Sequence, residues 1–111
     1  MTEVLIEFEE ALGRLDQDKE FLIILLNELL IQIDESWDEL NTSVTESDYA
    51  KLRYISHSIK GAASSLGVVG MAEIFSQLED MAARNSASGA PKLLKIVESQ
   101  KMELIEFLQN V

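Results

Sequence analysis

Through almost all of this chain the apolar residues return at intervals of three and four, the period of a helix. Between 71 and 82 they fall at Met71, Ile74, Phe75, Leu78, Met81 and Ala82. No stretch alternates every second residue as a half-buried strand would, and five glycines with one proline in 111 residues leave little turn material for a β fold. Five helices follow. A short one over about Glu3 to Leu12 carries Val4, Leu5, Phe8 and Leu12 on one stripe and ends near Gly13. The second, N-capped by Asp16 or Asp18, runs to about Thr42 with Phe21, Leu22, Leu25, Leu26, Leu29, Ile33, Trp37 and Leu40 on its inner side. Its first half is apolar nearly all round, which predicts burial on more than one face. After the polar break "TSVTESD", a third helix extends from about Asp48 to Leu66 and closes at Gly67. The fourth spans about Met71 to Arg84. Beyond the loop "NSASGAP", Pro91 opens the fifth, whose inner stripe is Leu94, Val97, Leu104, Ile105 and Leu108, up to about Gln109. Four long amphipathic helices with short connections predict an all-α antiparallel four-helix bundle, with the short N-terminal helix capping one end and residues 1–111 forming one domain.

Charge and composition exclude several partners. Twenty acidic residues against nine basic ones give a net charge of −11, which opposes binding to nucleic acid or to an anionic membrane. There is no cysteine and one histidine, so neither thiol chemistry nor a Cys/His metal site is available. The longest apolar run, "FLIILLNELLIQI", is too short to span a bilayer, and the start, "MTEVLIEFEE", is acidic where a secretory signal is basic. A cytoplasmic protein is expected.

The single histidine is the feature that asks for a function. At about 100° per residue, projection of the third helix from His57 puts Leu52, Ile55, Ile59, Ala62, Ala63 and Leu66 roughly 140° to 240° away. Lys60, Gly61, Ser64 and Arg53 fall within about 60° of it, so His57 faces solvent with cationic and small neighbours. Between Asp48 and Glu73 there is no acidic residue, while Lys51, Arg53 and Lys60 are present. Such a strip suits an anion, and a lysine one turn from the imidazole can pair with phosphate oxygens. Gly61 costs about 1 kcal/mol relative to Ala in an exposed helix. Two explanations stand: room for a large partner beside the imidazole, or close packing with a neighbouring helix. Arg53 and Ser64 on the His57 side, and Val68 with Val69 and Met71 at the turn, are candidate partner contacts.

The stretch "SHSIKGAASSLG" resembles the signature of histidine-containing phosphotransfer (HPt) domains: a His, two residues, a Lys-Gly pair, small residues and a closing Leu-Gly. His57, Lys60, Gly61, Ala62, Ala63, Leu66 and Gly67 match it position by position. The resemblance implies that His57 is phosphorylated, by analogy on Nε2, and hands the phosphoryl group to or from an aspartate of a response-regulator receiver domain, with a hybrid sensor histidine kinase as a further partner. Lys60 would hold the phosphoryl group and Gly61 would leave space for the receiver. No cofactor is implied for this chain, the Mg²⁺ being expected on the receiver, and a monomer is expected. Many relatives carry a Gln on the next helix facing the histidine, where Glu79 stands here; a carboxylate pointing inward would repel phosphate. Some carry an Arg one turn further, from which Arg84 is offset by one place. Neither residue receives a role.

Two other functions compete. A kinase dimerisation and phosphoacceptor domain is disfavoured because Ser58, not an acidic residue, follows His57 and no proline closes the motif; a chain with no Gly-rich nucleotide loop has no means of phosphorylating itself from ATP. The second is a helical docking module for a receiver or kinase, without chemistry.

Overall fold

The computed structural model describes residues 4–111. Five helices follow one another: α1 (Phe8–Arg14), α2 (Lys19–Thr45), α3 (Tyr49–Ser65), α4 (Val69–Ala83) and α5 (Ala90–Asn110), with no strand among the described residues. The all-α bundle is as expected. Helices α2 to α5 run antiparallel in sequence, α3 and α4 forming the most extensive pair. Leu22, Leu26, Leu29, Ile33 and Leu40 of α2 meet Leu52, Ile59 and Ala63 of α3, Met71, Phe75 and Leu78 of α4, and Val97 of α5 in one continuous core.

Local chemistry sets the helix ends. Asp18 and Asp48 accept hydrogen bonds from the backbone N–H groups of Phe21 and Lys51, each 3.1 Å away, capping α2 and α3. At the end of α3, Gly67 takes φ +75°, its N–H donates to the Ser64 carbonyl, and the Val68 N–H reaches back to the Ala63 carbonyl. That pair of bonds is the Schellman closure expected of a glycine there. The same closure ends α2 at Ser47 and α4 at Asn85, both with positive φ and neither foreseen.

The first helix begins later than expected. Residues 4–7 are not helical; they pass over the α3–α4 turn, the Glu7 N–H donating to the Gly67 carbonyl and the Gly70 N–H to the Leu5 carbonyl. Glu3 lies outside the described residues. α1 then packs its Phe8 edge-on against Phe107 of α5, ring centroids 5.2 Å apart, so α1 and its lead-in together cover one end of the bundle.

Two expectations about burial are overturned. Phe21, Ile24 and Ile31 are 45%, 55% and 54% exposed, so α2 is not buried on a second face. Besides α1 near its start, its neighbours among the described residues are α3 on one side and α5 on the other, joined to it by Gln32–Ser58 and Glu39–Lys51, and by Asp34–Lys101; Ile24 and Ile31 stay exposed. On α5, Ile105 is exposed and Gln100 takes an inner position, beside Gly70 and under the N-terminal lead-in. No helix among the described residues is long and apolar enough to cross a membrane.

Candidate functional site

His57 sits in the middle of α3 on the face the projection predicted. Leu52, Ile55, Ile59 and Ala63 are buried behind it, and its own side chain is 69% exposed. Arg53 and Ser64, one and two turns away on the same face, are exposed as well. Beside His57, Ala50, Arg53, Tyr54 and Glu79 line an open cleft of about 470 Å³. A second cleft, of about 520 Å³, is lined by residues including Lys60, Gly61, Ser64 and, across from them on α4, Val69, Glu73 and Ser76. A Cβ built on Gly61 meets nothing within 4 Å. Of the two explanations for that glycine, close helix packing is therefore excluded and open space is what is observed.

Val68 is not part of this surface. It is fully buried, as is Met71, because the α3–α4 turn is closed over by the chain at 4–7 rather than left open at the bundle end. Val69 alone of the three is half-exposed and lines the second cleft.

The residue to which the sequence assigned no role is at the centre of the site. Glu79 of α4 points across the hairpin: its Oε2 is 2.8 Å from His57 Nδ1 and its Oε1 is 2.6 Å from Lys60 Nζ. Its side chain is 14% exposed, so this carboxylate is held between the two rather than free in solvent. The Lys60 ammonium is the main cause holding the Glu79 carboxyl below its ordinary range; burial pushes the opposite way, and the hydrogen bond with His57 adds to the lowering. The contact with Lys60 is an ion pair at a poor hydrogen-bonding angle, since the buried Oε1 satisfies no hydrogen-bond geometry.

A carboxylate only accepts hydrogen bonds, so at 2.8 Å the imidazole proton belongs on Nδ1. The other ring nitrogen, Nε2, then bears the lone pair and has no protein partner among the described residues. Chemically this is a nitrogen nucleophile whose tautomer the carboxylate selects, exposed, with an ammonium one helical turn away.

The basic strip is less basic than its sequence. Glu79 reaches Lys60 from α4 and Glu39 reaches Lys51 from α2 at 3.5 Å, leaving Arg53 as the cation of the strip without an ion pair among the described residues. Arg84, the other residue without a role, lies exposed at the C-terminal end of α4. Among the described residues no group of three or more His, Asp and Glu side chains is arranged to hold a metal ion.

Comparison with curated proteins and with solved structures returned no match. A family model described as the Hpt domain matches residues 24–111, which takes in α2 from its second turn onward and all of α3, α4 and α5. An exposed histidine of fixed tautomer on the third helix, in a helical bundle that this model covers over most of its length, leads to one statement: the chain belongs to the Hpt domain family, whose members are carriers in histidine phosphotransfer of two-component phosphorelays.

Proposed function

We propose that this chain carries a phosphoryl group on Nε2 of His57, receives it from the aspartyl phosphate of a hybrid sensor histidine kinase, and passes it to the aspartate of a response-regulator receiver domain. The observation that carries this reading is the hydrogen bond between Nδ1 and Glu79, which leaves Nε2 as the free, solvent-facing nucleophile. In loading, the Nε2 lone pair forms a bond to phosphorus while the bond from phosphorus to the aspartate oxygen breaks and its electron pair stays on that carboxylate. Unloading is the reverse, onto a second aspartate.

Such in-line transfer needs positioning and charge neutralisation more than acid–base machinery. Lys60, one turn from His57, is the residue to neutralise phosphoryl oxygens, and the open space at Gly61 is the route by which a receiver's acidic pocket approaches. Arg53 and Ser64 flank that approach as partner contacts. Mg²⁺ belongs to the receiver in this scheme. The chain acts as a monomeric, cytoplasmic carrier and has no autokinase activity of its own.

The test is labelling from a purified receiver phosphorylated on its aspartate. The wild-type chain takes up the label and His57→Gln does not, while its helical circular dichroism is unchanged. Label retained by His57→Gln, or labelling of the wild type from ATP alone, would overturn the proposal.

A further inference from the structure

We infer that Glu79 keeps the Nδ1 proton on the ring while Nε2 carries the phosphoryl group, so that this carrier unloads through a neutral imidazole and gives up its phosphoryl group quickly. The inference rests on the phosphotransfer reading of His57.

When Nε2 attacks phosphorus the ring acquires a positive charge, because the proton on Nδ1 is still there. If that proton then escapes to water, the ring becomes neutral, and the next transfer has to expel an imidazolate anion, a strongly basic and poor leaving group. If the proton stays, the electrons of the N–P bond return to Nε2 and the departing group is neutral imidazole. What happens at Nδ1 therefore governs what happens at Nε2.

The group that touches Nδ1 is a carboxylate, 2.8 Å away and largely buried. A glutamine here would accept the same hydrogen bond from Nδ1–H at its amide oxygen but would bring no opposing charge, and hydrogen bonds with ionised partners are roughly twice as strong as neutral ones. The remaining groups that face His57 do not compete for this proton. On α3, Arg53 and Tyr54 share its cleft, and Lys60 is engaged by Glu79. From α4, Glu73 and Ser76 lie across the other cleft, beside Gly61. From α2, uncharged Gln32 stops at Ser58, to which its amide donates. Lys60 supplies a further step: when its ammonium turns from Oε1 to the phosphoryl oxygens, Glu79 is left with the imidazolium N–H as its one partner, and its hold on the proton tightens as the carrier becomes loaded.

Glu79→Gln tests this, with label loss to water alone deciding the role of Glu79. Both proteins are phosphorylated on His57 with phosphoramidate, and loss of the label, to water and separately to a receiver domain, is followed from about pH 5.5 to pH 9, across the ordinary histidine range. Toward the acid end of that range solvent supplies the proton to both proteins, and their rates converge. At pH 8 Glu79→Gln loses its label about tenfold more slowly, the factor of a charge-assisted hydrogen bond at the low end of its range. A ratio between the two proteins that is the same at every pH would mean that Glu79 only positions the ring, and would overturn the inference; so would equal or faster loss from Glu79→Gln at pH 8. A wild type that loses its label to water but never to any receiver would overturn the relay reading instead, with the comparison in water still deciding the role of Glu79. Failure of His57 to take the label at all would refute both.

Discussion

Replacing Gly61 is predicted to make the protein more stable and less competent. Gly61 lies inside α3, which continues to Ser65, and it is exposed. In an exposed helix interior Gly is worse than Ala by about 1 kcal/mol, much of it from the freedom that glycine gives the unfolded chain. That gain is realised only where the new methyl group fits, and here it meets no atom within 4 Å. For 111 residues at roughly 2 cal/mol/K per residue, about 1 kcal/mol raises Tm by about 4 °C, measurable by thermal unfolding followed by circular dichroism. The same space is where a receiver approaches His57, so bulk at this position works against transfer. If an intruding side chain opposes docking by the ~1–3 kcal/mol typical of overpacking, transfer slows by about fivefold to about 150-fold. Gly61→Ala should lie at the mild end of that range and Gly61→Gln further along it, both with unimpaired folding. A fall in Tm for Gly61→Ala would refute the claim that the site is open. Transfer rates indifferent to Ala and Gln would refute the claim that the opening serves the partner. Natural proteins keep such a destabilising residue where function needs it.

Two further outcomes follow from the same geometry. Lys60→Ala, which removes the ammonium beside His57, should slow phosphoryl transfer by about tenfold or more, measured with a phosphorylated receiver, since charge neutralisation is the main service a carrier gives in this reaction. A rate within error of the wild type would reduce Lys60 to a structural ion pair with Glu79. Gly67→Ala should lower stability by at least ~1–2 kcal/mol: its φ of +75° disfavours any Cβ, and the added carbon would stand 3.0 Å from the Glu7 carbonyl oxygen and 3.2 Å from the Ala11 methyl. Urea unfolding with an unchanged midpoint would show that the lead-in yields at no cost.

The helices, their order and the outward direction of His57 were legible because they depend on a period repeated along the chain. Gly67 was legible because a glycine after a helical stripe has one common use, whereas Ser47 and Asn85 perform the same closure with side chains that do not announce it. Glu79 was visible as a departure from the family pattern but not as a partner of His57. Whether it meets the imidazole depends on the register of α4 against α3 and on the rotation of α4, neither of which periodicity supplies. The expectation that an inward carboxylate would repel phosphate considered one partner only; the structure gives it two, the imidazole N–H and the Lys60 ammonium, that have use for an anion. Val68 was misjudged for a related reason. An apolar residue at a turn is exposed unless something crosses the turn, and what crosses it here is an irregular segment remote in sequence. Phe21, Ile24 and Ile31 show the converse: an apolar composition says that a helix has surface to bury, not how many neighbours it will have.

The α3–α4 turn acts as a gauge for the chemistry that happens far from it. His57 lies ten residues before Gly67, about 15 Å along the helix, and Glu79 lies a similar distance after the turn on the returning helix of the hairpin. One residue added to or removed from the α3–α4 turn, with the core otherwise held, would shift α4 by about 1.5 Å and turn it by about 100°, enough to carry Glu79 away from the imidazole. The turn is fastened from outside by two backbone hydrogen bonds, Glu7 to Gly67 and Gly70 to Leu5. A segment that precedes the matched part of the family thus braces the turn whose length sets the register of Glu79 against His57.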